Sequence, residues 1–169
     1  MISKKLLLLG DIGVGKTSLV RRFVLDEFNF DYRPTMGVDI YRYRLCDLGP
    51  AQDEAVELVI WDIDGNYGLG VLDHIYSRGC AGALIVSDLS RPATVTHMLA
   101  LGEAMREKMP GRIFSYVLNK SDLCRPADAA LPADLHEADP APVATSALSG
   151  ENVVLAFRGV AETILRRAA

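Results

Sequence analysis

Cysteine is scarce and scattered in this chain: Cys46, Cys80 and Cys124 are odd in number and show no C-x-x-C spacing. That excludes a disulfide framework and a zinc cluster as organising devices, and fits free thiols in a reducing compartment. Long hydrophobic runs are missing too; none approaches the ~18 residues that a membrane span needs. Basic charge is in short supply, with 18 Lys and Arg against 22 Asp and Glu, a net charge of −4 and a pI near 5.3. Nucleic acid is therefore not expected as the main partner. Met1-Ile2-Ser3-Lys4 has neither a secretory apolar region nor a Gly at position 2, and no cysteine follows Cys124 toward Leu165-Arg166-Arg167-Ala168-Ala169. No direct lipid anchor is expected, and the location expected is cytoplasmic. Repeats and low-complexity linkers are absent as well. With 169 residues, half of them apolar, the sequence predicts a single domain over 1–169, long enough for a real core and expected to act as a monomer.

What is present begins with Gly10, Asp11, Ile12, Gly13, Val14, Gly15, Lys16 and Thr17. This fits G-x-x-x-x-G-K-[ST], in which glycines let consecutive backbone N–H groups turn inward around a polyphosphate. Lys16 is expected to reach the β- and γ-phosphate oxygens, and the Thr17 hydroxyl to ligate Mg²⁺. The context agrees: Lys4–Leu9 reads as a buried strand, and Thr17–Leu25 as a helix whose N-terminus, with Ser18, faces the anion.

A phosphate loop names no base. Asn119-Lys120-Ser121-Asp122 follows the apolar, β-branched stretch Ile113–Leu118, which reads as a central strand. A carboxylate there, Asp122, can accept from both N–H groups on the guanine edge, whereas adenine offers no such donor pair. Thr145-Ser146-Ala147 follows a second short strand, Ala141–Ala144, and the Ala147 N–H is placed to donate to guanine O6. N-K-x-D alone is a weak match; behind a phosphate loop and ahead of T-S-A it is strong.

Strands and helices alternate along the chain. Asp39–Cys46 and Ala55–Trp61 read as a hairpin across the polar turn Asp47–Glu54, and Ala81–Val86 as another buried strand. Thr94–Met109 reads as a helix ended by Pro110-Gly111, and Asn152–Arg167 as the last helix, capped at Ser149 or Gly150. Between them Cys124–Pro142, rich in Ala, Pro and Asp, leaves room for a short helix around Ala133–Ala138. The fold class predicted is α/β: a P-loop NTPase with a mostly parallel six-stranded sheet and helices on both faces.

These residues resemble the small GTPases of the Ras superfamily, the Rab branch most closely, over nearly the whole chain. Phe28, Tyr32, Pro34 and Thr35-Met36-Gly37-Val38-Asp39-Ile40 match the family's first switch, which in the Rab form reads T-I-G-V-D-F. Trp61-Asp62-Ile63-Asp64-Gly65-Asn66-Tyr67 stands where the Rab pattern is W-D-T-A-G-Q-E. Tyr76-Ser77-Arg78-Gly79-Cys80-Ala81-Gly82-Ala83 follows Y-Y-R-G-A-x-G-A without a gap. The resemblance implies a small G domain, the cofactors GTP/GDP and Mg²⁺, and switch loops that order around GTP and release on hydrolysis. It implies Thr17, Thr35 and Asp62 as metal residues, and Lys16, Thr35, Gly65 and Asn66 as the catalytic set. Phe28 would lie against the base, with Tyr32, Lys120, Ser146 and Leu148 also lining the nucleotide. Effector and regulator proteins would read Thr35–Tyr43 and Asn66–Tyr76.

Departures from the pattern bear on turnover. Asn66 replaces the Gln whose amide orients the attacking water; its arm is a methylene shorter, and about 1 Å of misplacement can cost around a hundredfold in rate. Asp64 replaces Ala and sets a carboxylate near the γ-phosphate. Ile12 is bulky where the family is small, Gly68 and Gly70 loosen the second switch, and Leu148 stands where Lys is common. Two expectations follow: a switch GTPase with slow intrinsic hydrolysis, or a hydrolysis-deficient GTP-binding interaction module. The resemblance implies a long tail with prenylated cysteines, which does not follow Leu165-Arg166-Arg167-Ala168-Ala169, so a bacterial or otherwise unlipidated relative is expected.

Overall fold

Four consecutive leucines decide the architecture. In β1 (Ile2–Leu9) side chains alternate between faces, so Leu6 and Leu8 join one core and Leu7 and Leu9 the other, all at most 2% exposed. A strand apolar on both faces must be covered on both. This computed structural model describes residues 2–49, 53–73 and 75–168, and within them the covering layers are helices. On one face α1 (Lys16–Leu25) and α4 (Val153–Ala168) meet over the sheet, where Phe23 stacks on Phe157 with ring centroids 4.2 Å apart. On the other lies α2 (Pro92–Lys108), which buries Val95, Met98, Leu101 and Met105.

The sheet has six strands in the order β2-β3-β1-β4-β5-β6, with β2 (Val38–Leu48), β3 (Glu54–Ile63), β4 (Gly82–Asp88), β5 (Ile113–Asn119) and β6 (Val143–Ala144). Only β2, at the edge, runs antiparallel; β3, β1, β4, β5 and β6 are mutually parallel. Their carboxyl ends therefore open on one edge, the usual ligand position in an open α/β sheet. The α/β fold class, with its mostly parallel sheet and helices on both faces, holds.

Element ends differ from the sequence reading for local reasons. The hairpin forms, with a register irregularity between Leu45 and Leu48; residues 50–52 of its predicted turn lie outside the described residues. β4 runs on to Asp88 rather than stopping at Val86. The strand expected at Ala141–Ala144 shrinks to Val143–Ala144, because Pro140 and Pro142 have no N–H for a ladder. The short helix is α3 (Ala133–His136). The last helix starts at Val153, after Asn152 at φ 55°. Ser149 does not cap it, since its hydroxyl accepts from the Glu151 N–H at 3.2 Å. Gly65–Asp73 forms 3₁₀ turns broken at Gly68, which takes φ 49° and ψ −135°. Among the described residues no helix is long and apolar enough to cross a membrane.

Candidate nucleotide site

A cleft of about 650 Å³ opens at the carboxyl edge of the sheet. Its floor is the loop between β1 and α1. Gly10 takes φ 141° and would place a β-carbon 2.2 Å from the Val86 carbonyl oxygen; Gly15 takes φ 102° and would place one 2.3 Å from Asn119 Nδ2. Only glycine fits either position, on conformation and on space. Lys16 folds back over the loop, donating to the Gly10 carbonyl at 2.7 Å and the Asp11 carbonyl at 2.9 Å. An ammonium has three donors, so one remains for a ligand. Burial lowers the Lys16 pKa; Asp62, Asp11 and Asp64 oppose that shift.

Thr17 and Thr35 line one wall, and behind them Thr17 meets the buried Asp62, 45 residues away in the chain. The Thr17 and Thr35 hydroxyls are 2.8 Å apart, and Thr17 donates to Asp62 Oδ2. Asp62 is fully buried, and its Oδ1 has no hydrogen-bond partner among the described residues. Burial pushes its carboxyl up to about 6, against the Thr17 hydrogen bond, the Lys16 charge and Thr35. A buried carboxylate oxygen without a partner is costly. Two hydroxyls beside such an oxygen form a hard, oxygen-only donor set, which fits Mg²⁺ completed by phosphate and water.

The opposite wall carries the base-loop residues. Asp122 is exposed, with its Oδ1 accepting from the Ser146 hydroxyl at 2.6 Å. Asn119, 1% exposed, works as a brace: its amide donates to the Val14 carbonyl at 3.0 Å, and its oxygen accepts from Thr145 at 3.0 Å and from the Ala147 N–H at 3.3 Å. The Ala147 N–H expected to face a base oxygen thus bonds to Asn119 here. The reason is proximity: the turn after β6 closes directly onto the end of β5.

Most of the other expected residues line the cleft: Ile12, Gly13, Ser18, Phe28, Tyr32, Gly65, Asn66, Lys120 and Leu148 all do. Phe28 touches the cleft and also packs on the core. Gly65 sits on the phosphate loop, where a β-carbon would be 2.5 Å from the Ile12 nitrogen. Asp64 uses Oδ1 to accept the Asn66 N–H at 2.9 Å, so part of its carboxylate serves the backbone. Asp11 and Val14 turn their side chains elsewhere, Asp11 Oδ2 lying 2.5 Å from His97 Nδ1 and Val14 in the core, while Ser146 is buried with its hydroxyl on Asp122.

Sequence reasoning missed Asp88, Arg91 and His97, which grip the site from behind. The available signal was an acid ending an apolar strand, the same pattern that marked Asp62.

Comparison with known proteins agrees with this geometry. The family model described as "Ras family" matches residues 5–166. "Ras-related protein RABA6b" of Arabidopsis thaliana is 38% identical over 120 residues, covering 70% of this chain and 51% of the relative. "Ras-related protein Rab-34" of Sus scrofa is 33% identical over 156 residues, covering 88% and 59%. "Ras-related protein Rab-32B" of Dictyostelium discoideum is 35% identical over 105 residues, covering 62% and 39%. The chain spans about half the length of the curated relatives it matches. With a model match over nearly all its length, and with its glycine loop, base loop and hydroxyl–carboxylate cluster on one edge of the sheet, the chain belongs to the Ras family.

Proposed function

We propose that residues 1–169 form one G domain that binds GTP or GDP with Mg²⁺, hydrolyses GTP slowly, and presents its switch loops to effector and regulator proteins. The observation that carries this is the cluster of Thr17, Thr35 and Asp62, in which the Thr35 hydroxyl, from the loop after α1, meets the Thr17 hydroxyl, which donates to a buried carboxylate whose other oxygen has no partner among the described residues. Thr17, Thr35 and Asp62 would hold the metal, which when bound neutralises phosphate charge. Lys16 would hold a phosphate oxygen with its remaining donor. Asp122 would accept from the guanine edge, and Phe28 would cover the ring.

Closure of Thr35 onto Thr17 gives the protein a way to signal, because the same loop continues into Met36, 89% exposed, and the exposed Ile40. Partner proteins would read Thr35–Tyr43 and Asn66–Tyr76; His74 in the second stretch lies outside the described residues. Exposed Met36 and Ile40 beside Arg42 and Arg44 suit an interface hot spot, whereas Tyr41 and Tyr43 are partly buried against the core.

The slow turnover follows from Asn66. Its short amide must hold a water while its backbone is fixed to Asp64 at 2.9 Å, and Ile12, 43% exposed, crowds the approach. The same observation favours a second reading, a GTP-loaded interaction module in which hydrolysis is negligible. Purified protein titrated with fluorescent GDP, with ATP as competitor and with EDTA, tests nucleotide and metal; single-turnover hydrolysis of GTP then separates the readings. Displacement by ATP as effective as by GTP, or binding indifferent to EDTA, would overturn the proposal.

A further inference from the structure

At the end of β4 stands Asp88, a carboxylate 1% exposed with both oxygens fully used. Oδ1 accepts from the Ser90 N–H at 2.9 Å and the Ser90 hydroxyl at 2.6 Å. Oδ2 accepts from Lys120 Nζ at 2.9 Å and from Arg91 Nε at 3.0 Å. The two cations come from different segments: Lys120 lines the cleft, and Arg91 precedes α2 behind the phosphate loop. Lys120 belongs to the base loop, where it takes φ 64°, an uncommon conformation that persists where the surroundings over-determine it. Arg91 reaches past Asp88 with its other arm: Nη2 donates to the Ile12 carbonyl at 2.9 Å and packs behind Gly13. Burial would raise the Asp88 carboxyl, but the hydrogen bonds from Ser90, Lys120 and Arg91 outweigh it and hold the group below its ordinary value, hence ionised.

We propose that Asp88 is a positioning residue that ties the phosphate loop to the base loop through Arg91 and Lys120, and so sets how long a nucleotide spanning both loops is retained. This rests on the guanine-nucleotide reading above. A ligand held at two ends gains from the second contact only while the two half-sites keep their spacing, because the first contact then fixes the effective concentration of the second. Loosening the tie leaves each half-site intact and lowers that gain. The Asp11–His97 contact at 2.5 Å is a second hold on the phosphate loop, so the effect of cutting the first is limited.

The test is release of a fluorescent GDP analogue, in saturating Mg²⁺, from wild type, Asp88→Asn, Arg91→Ala, Arg91→Lys and the Asp88→Asn/Arg91→Ala double variant. Losing a hydrogen bond to a charged group corresponds to roughly tenfold, so Asp88→Asn is expected to release about ten times faster and Arg91→Ala several times faster. Arg91→Lys keeps the charge but not the two-armed reach, and is expected to behave as Arg91→Ala. Because Arg91 acts through Asp88, the double variant should match Asp88→Asn instead of showing the product of the two effects. Affinity for GMP, which lacks the β-phosphate that such a loop cradles, should change less than about twofold, whereas a general loosening of the fold would weaken GDP and GMP alike. Arg91 is half exposed, so its variants keep the test open if Asp88→Asn folds poorly. Wild-type release in the Arg91 variants, multiplicative effects in the double variant, or equal loss for GMP would overturn the tie while leaving the nucleotide reading intact. Failure of the wild type to bind GDP would overturn that reading and the tie with it.

Discussion

Asp62→Asn is expected to move stability and ligand binding in opposite directions. In protein stripped of nucleotide and metal with EDTA, the Asp62 carboxyl is fully buried with one oxygen unpaired among the described residues, and burial raises its pKa from 3.8 to about 6. A folded-state value above the unfolded one means that the folded protein binds the extra proton. The associated stability is complete below about pH 4 and is lost as pH rises through about 6. The full shift corresponds to about 3 kcal/mol, of which roughly 1.4 kcal/mol separates pH 7.5 from pH 5. The amide isostere carries no charge, so at pH 7.5 the stripped variant should be more stable than wild type by about 1–2 kcal/mol, after some loss to an unpaired N–H. Urea denaturation at pH 5 and pH 7.5 measures both quantities: wild type should gain on acidification relative to the variant. With Mg²⁺ and GDP the order should reverse, because ligand stabilises only the protein that binds it. A variant less stable than wild type in EDTA at pH 7.5, or one that keeps full Mg²⁺-dependent GDP binding, would refute the argument.

Gly15→Ala should reduce GDP affinity about a hundredfold, since a β-carbon 2.3 Å from Asn119 Nδ2 forces the loop or the brace to shift by about 1 Å; unchanged affinity by calorimetry would show that the loop absorbs the methyl group. Asp122→Asn should lower the preference for GTP over xanthosine triphosphate by about a hundredfold, because a donor replaces the acceptor facing the base; an unchanged ratio in competition binding would remove Asp122 from base recognition. Asp64→Asn should raise single-turnover hydrolysis about threefold to tenfold by removing charge while keeping an oxygen for the Asn66 N–H. Asp64→Ala, which frees Asn66 as well, should gain less; a rate equal to or above that of Asp64→Asn would show that the hydrogen bond to Asn66 is irrelevant.

The sheet and the cleft floor were legible because their signals are local. Leu6–Leu9 states a doubly covered strand, and the glycines of the phosphate loop are set by backbone shape, as Gly10 and Gly15 demonstrate by the contacts a β-carbon would make. Pairings that depend on a third element were not legible. Nothing near Asn119 in the sequence says that its amide would brace Val14, 105 residues away, or that the Ala147 N–H would turn to it. The sequence places Asp64 as a charge near a phosphate, and in the fold it lines the cleft while its Oδ1 accepts from the Asn66 N–H two residues on. That pairing is local, but Asp competes for its own backbone in many turns, and composition does not say when. The turn before α4 escaped for a related reason: Ser149 was a sound candidate for a cap, but the chain reverses once more before Val153.

Two buried carboxylates end the strands on either side of β1, and they differ in how their oxygens are partnered. Asp62 in β3 and Asp88 in β4 are both 1% exposed or less. On sequence they look alike, each an acid after an apolar run. Asp62 faces two hydroxyls and leaves one oxygen unpaired, so burial dominates and its carboxyl rises to about 6. Asp88 collects donors from Ser90, Lys120 and Arg91 on both oxygens, so hydrogen bonding dominates and its carboxyl falls. A group left short of partners in the folded chain can bind a cation at little cost in protein contacts. A group already saturated would have to give up its own bonds first, at more than 1 kcal/mol each for charged partners. The same residue type therefore stands, on adjacent sides of one strand, in the two states that the proposed metal site and the proposed tie each require.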